Sequence, residues 1–174
     1  MPRPAMRVSL VLPAYDWQLV HTLPKGTLLS EKGPGSARGR LLKTVSMVDV
    51  QFGCYSWQMR DKVLYCGYFT RDYMHQGRRA YRSNLQGRVH QYLHNHSRST
   101  KGEPRTNLRV YEQILFTLQI DSVALHLLYF DALQVAGREV PFAQFSGDAS
   151  LVRTVEALLV HTYKQVRECA WNKI

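Results

Sequence analysis

Apolar residues recur in this chain with two different periods. In the first half they come in short alternating or β-branched runs bounded by turn residues, a pattern that predicts strands. Residues 7–12 (RVSLVL) and 43–52 (KTVSMVDVQF) read as strands around a Gly/Ser/Pro/Arg loop at 31–40 (EKGPGSARGR). Residues 52–57 (FGCYSW) and 62–69 (KVLYCGYF) follow as a second pair, with polar QMRD as the turn between them. After a basic stretch the period changes. Leu85, Val89, Tyr92 and Leu93 form a stripe at helical spacing, preceded by Ser83 and Gln86 in a capping-box arrangement. Residues 96–106 read as a loop, 107–118 as a second helix and 122–130 as a buried strand. Gly137, Pro141 and Gly147 punctuate the segment before a last helix over 148–169, capped by Asp148 or Ser150. The expected order is β-β-α-α-β-α after a β-rich arm, a mixed α/β fold.

Composition adds a partner. At 174 residues the chain is long enough for one domain with an appended arm, and 45% hydrophobic and 11% aromatic content suits a packed core. The net charge of +10 does not arise evenly. Between Arg60 and Arg109 stand eleven Lys and Arg against Asp61, Asp72 and Glu103, a net +8, and the remainder supplies +2. A basic middle on a near-neutral frame reads as a face for a polyanion, nucleic acid ahead of an acidic membrane.

The cysteines change little. Cys54, Cys66 and Cys169 are odd in number and lack C-x-x-C spacing, which disfavours a zinc framework or a disulfide scaffold and predicts buried small hydrophobes. The opening residues hold too short an apolar run for a signal peptide, and no stretch approaches the ~20 apolar residues of a membrane span. The expected location is intracellular, in the cytoplasm.

Two helices carry residues that do not suit a core. On the last one Val152, Val155, Leu159 and Tyr163 share an arc, and Glu156 falls within it. A carboxylate there needs an arginine partner or a cation. Arg88 shares the face of Leu85, Val89 and Tyr92, and an inward guanidinium needs an anion, either Glu156 or a phosphate. Upstream, Tyr55 and Tyr65 lie in mirror-image tripeptides, Gly-Cys-Tyr and Tyr-Cys-Gly, and a hairpin would set them side by side.

Gly53-Cys54-Tyr55 and Tyr65-Cys66-Gly67 resemble the paired strands of the GIY-YIG nucleases. SNLQGRVHQY resembles the next helix of that family, with its arginine, and EALLVHTYKQVRECAWN resembles the closing Glu-headed helix that ends at an Asn. The resemblance spans residues 53–172 and implies phosphodiester hydrolysis with one divalent cation, Mg2+ with Mn2+ as a substitute. By matched position Glu156 would be the metal ligand and Arg88 would hold the scissile phosphate. Tyr65 would help deprotonate the attacking water, its pKa lowered by the cation and nearby basic residues. Tyr55 would shape the site, Tyr92 would contact the phosphate or assist proton transfer, and Asn172 would orient the Glu156 end.

Here the segment from Tyr68 to Arg82 intervenes before the serine of the helix motif, as in the compact restriction-endonuclease branch, and no Pro stands beside Asn172. Arg71, His75, Arg78, Arg79 and Arg82 of this basic insertion become candidate DNA contacts, as do Arg38 and Arg40 of the arm; the resemblance equally allows His75 as an added active-site residue. The implied division is an arm over 1–50 for DNA recognition or dimer contacts and a catalytic domain over 51–174 with the insertion at 68–82. The implied function is a type II site-specific deoxyribonuclease acting as a homodimer on double-stranded DNA. Two alternatives stand beside it. One is a repair-type or nonspecific nuclease of the same family; the other is a non-catalytic nucleic-acid-binding protein in which the tyrosines merely pack and Glu156 pairs with Arg88.

Overall fold

The computed structural model describes residues 17–50, 52–70, 73–75, 78–81, 84–94, 106–128, 132–135, 138–141 and 149–172. Twelve elements follow one another there: β1 (Gln18–Leu23), α1 (Ala37–Ser46), β2 (Gly53–Met59), β3 (Lys62–Phe69), β4 (Tyr73–His75), β5 (Arg78–Tyr81), α2 (Leu85–His94), α3 (Thr106–Ile120), β6 (Val123–Leu128), β7 (Ala132–Val135), β8 (Arg138–Pro141) and α4 (Ala149–Gln165). The architecture is mixed α and β: a four-stranded antiparallel sheet in the order β1-β6-β2-β3, four helices, and two separate hairpins, β4–β5 and β7–β8.

The β2–β3 hairpin forms where the sequence predicts it, turning at Arg60 and Asp61, with Arg60 at a φ of 54°. Its register explains the mirrored tripeptides. Tyr55 lies opposite Gly67 and Gly53 opposite Phe69, so each glycine faces an aromatic side chain across the strands. A Cβ at Gly67 would overlap the ring of Tyr55, and one at Gly53 would stand 2.6 Å from the Leu128 carbonyl oxygen. Both positions therefore require glycine through close approach.

Three helices cover one face of the sheet. Leu41 and Val45 of α1, Leu85, Val89, Tyr92 and Leu93 of α2, and Val110, Ile114 and Leu118 of α3 pack with Tyr55, Trp57, Tyr65, Leu125 and Leu127 in a single cluster. On the opposite face Val152, Val155 and Leu159 of α4 pack on Cys54 and Leu128, and Cys169 meets Cys66 and Val63. All three cysteines are buried and unbridged, as expected of small hydrophobes. Among the described residues no helix is long and apolar enough to cross a membrane.

The expectations for the first fifty residues need correction. Residues 37–46 form a helix, not the end of a loop and the start of a strand. Ser36 caps it, its Oγ accepting from the Gly39 amide at 3.0 Å, and Leu41 and Val45 then fall one turn apart on the core side. The β-branched Thr44 and Val45 favour a strand locally, but the cap and this buried face prevail. The strand near the N-terminus is Gln18–Leu23, which pairs with β6 and so belongs to the main sheet. The strand expected at 7–12 lies outside the described residues. In α2 the cap is Asn84, whose Oδ1 accepts from the Gly87 amide at 2.7 Å; Ser83 and Asp148 lie outside the described residues. Both small hairpins are absent from the expected order. Each strand in them has at most four residues, too short for period-2 patterning to register.

Candidate active site

The tyrosines gather first. Tyr55 and Tyr65 share one face of the hairpin because their partners Gly67 and Trp57 are offset by two residues on each strand. Their ring centroids are 6.2 Å apart. Tyr92, entering from α2 on the same face, lies 6.2 Å from Tyr55 and 6.0 Å from Tyr65, edge-on to the latter. The hydroxyls form a chain: Tyr55 bonds to Tyr92, and Tyr92 Oη donates to Tyr65 Oη at 3.1 Å. Each ring is buried, and each phenol thereby satisfies its polar tip inside the core.

Burial also decides their ionisation. Desolvation raises all three phenols well above the ordinary tyrosine value. Arg88 works against this at Tyr55 and Tyr92, and the charge of Glu156 adds to it at Tyr55 and Tyr65. Without a metal, the nearby basic residues do not bring Tyr65 toward phenolate. In the metal-free protein Tyr65 is a neutral hydroxyl at neutral pH.

Around this chain stand two guanidinium groups and a carboxylate. Arg88 lies one turn before Tyr92 on α2, its Cζ 4.9 Å from the Tyr68 ring centroid, and its buried Nε has no hydrogen-bond partner. Arg153 of α4 places its Cζ 5.4 Å from the same centroid and donates to Tyr68 Oη from Nε at 3.2 Å and from Nη2 at 2.8 Å. Glu156 follows Arg153 by one turn, half-buried. Desolvation raises its carboxyl to about 7, against the pull of Arg88 and Arg153. Among the described residues Glu156 forms neither a hydrogen bond nor an ion pair, so the pairing of Arg88 with Glu156 is not made. The charge of Glu156 raises Cys54, Tyr55, Tyr65 and Cys66, all within the mirrored tripeptides. β3 lies at the edge of the sheet.

Asn172 acts on the backbone of β3. Its Oδ1 accepts from the Cys66 amide at 3.0 Å and its Nδ2 donates to the Cys66 carbonyl at 2.8 Å. Cys169 N donates to Val63 O at 2.7 Å, Trp171 N to Leu64 O at 3.0 Å, and Glu168 Oε2 accepts from Val63 N at 2.8 Å. The segment after α4 thus closes the open edge of β3, and Asn172 holds the strand that carries Tyr65. It makes no contact with Glu156 among the described hydrogen bonds.

The expected DNA-contact residues divide. Arg38 is 7% exposed on the core side of α1. Arg40 is exposed on the same helix, its Nη1 bonded to the Gly35 carbonyl. His75, Arg78 and Arg79 belong to the β4–β5 hairpin, where His75 pairs with Arg78 and Met74 with Arg79. Arg71 and Arg82 lie outside the described residues. Tyr68 and Arg153 were not singled out from the sequence. An i, i+3 reading of α4 would have linked Arg153 to Glu156, whereas Tyr68 needs the hairpin to be placed.

Among the described residues no group of three or more His, Cys, Asp or Glu side chains lies together. A lone carboxylate such as Glu156 still suits a hard cation that keeps most of its waters. Its partial exposure and lack of hydrogen-bond or ion-pair partners among the described residues fit that use. Compared with protein-family models, curated proteins and solved structures, the chain matches none of them.

Proposed function

We propose that this chain is a GIY-YIG-type endonuclease, a site-specific deoxyribonuclease that hydrolyses phosphodiester bonds of double-stranded DNA with one Mg2+ and acts as a homodimer. The observation that carries the reading is the convergence around β3 of a three-hydroxyl tyrosine chain, an arginine with an orphaned buried donor, and an unpaired half-buried glutamate. A purely structural role explains the packed rings. It leaves Arg88 Nε and Glu156 without purpose, because buried polar groups are ordinarily paired.

In this mechanism Glu156 holds the cation through its carboxylate. A cation held there would supply positive charge against the negative charge that builds on the phosphate oxygens. Arg88 offers its guanidinium to a non-bridging oxygen of the scissile phosphate. Tyr65 Oη, neutral and fixed by Tyr92, orients the attacking water; as the new P–O bond forms and the bond to the leaving oxygen breaks, the water gives a proton to solvent and the leaving oxygen takes one from solvent. The neutral phenol positions the water without keeping its proton, as suits a hydroxyl that burial holds well above its ordinary value. Asn172 keeps Tyr65 in place by clamping β3.

The test is incubation of supercoiled plasmid with Mg2+. Discrete fragments support a restriction enzyme, and nicking or smearing indicates a repair-type or nonspecific nuclease. Intact plasmid despite tight binding refutes catalysis and leaves the binding-protein alternative.

A further inference from the structure

One aromatic ring, that of Tyr68, carries two guanidinium groups delivered from opposite faces of the sheet. Arg88 comes from α2, with its Cζ 4.9 Å from the ring centroid, and Arg153 from α4, with its Cζ 5.4 Å away. Like charges held this close repel, and a ring face offsets only part of that repulsion. Glu156 lies near both but forms an ion pair with neither. Arg88 also keeps a buried Nε with no acceptor, whereas Arg153 is set at a definite angle by its two bonds to Tyr68 Oη. A guanidinium with a donor left open, beside a second one fixed in angle, matches the oxygens of phosphate groups better than a single carboxylate.

We infer that Arg153 binds a backbone phosphate of the bound DNA strand, adjacent to the phosphate held by Arg88, and that Tyr68 is the post that sets the angle between the two arginines. The inference rests on the nuclease reading for the identity of the ligand, and it adds to that reading a second phosphate and two residues.

Binding of a mixed-sequence DNA duplex is followed by fluorescence anisotropy in EDTA, where no hydrolysis interferes, over a series of salt concentrations. Each neutralised phosphate contributes about 0.9 to the slope of log K against log salt. Arg153→Gln is expected to flatten the slope by about 0.9, and Arg88→Gln with Arg153→Gln by about 1.8. Arg153→Lys, which keeps the charge and loses the fork, should keep the slope and bind more weakly. Near-ultraviolet circular dichroism matching wild type certifies each fold. An unchanged slope in Arg153→Gln overturns the inference while leaving the nuclease reading intact. So does a double variant no flatter than either single one, because the two arginines would then share one phosphate. Absence of salt-dependent DNA binding by the wild-type protein overturns both.

Discussion

Replacing Glu156 with Gln should stabilise the metal-free protein while removing its ability to hold a cation. Desolvation raises this carboxyl from the ordinary 4.5 to about 7, so ionising it in the folded chain is unfavourable. Between those two values the folded state binds the proton more tightly than the unfolded state, and stability is lost as pH rises through that window. The full displacement corresponds to about 3 kcal/mol. Because Glu156 is only half-buried, solvent reduces this to about 1–2 kcal/mol at neutral pH and above. Glutamine keeps the shape and never ionises. Urea denaturation of both proteins in EDTA should therefore show midpoints that coincide at about pH 4 and differ at about pH 8, with the variant higher by about 0.5–1 M. Excess Mg2+ should then raise the wild-type midpoint and leave the variant unmoved, because a ligand stabilises only the state that binds it. A midpoint difference that is the same at both pH values would refute the assignment of Glu156 as a desolvated, unpaired carboxylate. Equal magnesium responses would refute its role as ligand.

Three further outcomes follow from the same geometry. Tyr65→Phe removes the hydroxyl that orients water and should lower single-turnover cleavage by about 100-fold or more, with DNA affinity preserved; a rate within a few-fold of wild type would show that this phenol does not act. Gly67→Ala drives a methyl group into the Tyr55 ring and should cost about 1–3 kcal/mol in a urea titration. Asn172→Ala breaks both bonds to Cys66, with an expected loss of about 1–2 kcal/mol and faster hydrogen exchange at the Cys66 amide, read by NMR. Unchanged exchange there would mean that the edge of β3 is held by its other contacts.

Much of the local structure is written in residue order. The β2–β3 hairpin follows from alternation and β-branched or aromatic content, and α2 and α4 from apolar stripes that recur every three to four residues. Glu156 and Arg88 announce themselves as charged residues beside those stripes, a signal that needs only helical geometry. What residue order does not carry is which long-range surface each stripe meets. The helix at 37–46 overrides a strand-like stretch because Leu41 and Val45 find the core formed with β1 and α2. Asn172 looks like a site residue by position, yet its amide pairs with Cys66 across the edge of β3.

Sequence alone determined the periods, the mirrored Gly/Tyr placement and the uneven charge, because each depends on neighbours within a few residues. Only the tertiary structure decided that Tyr55, Tyr65 and Tyr92 share one hydroxyl chain, that burial keeps them neutral, and that Tyr68 stands beneath both Arg88 and Arg153. Those features arise where elements far apart in the chain are pressed together and water is excluded. Desolvation belongs to the packed whole and to no single segment.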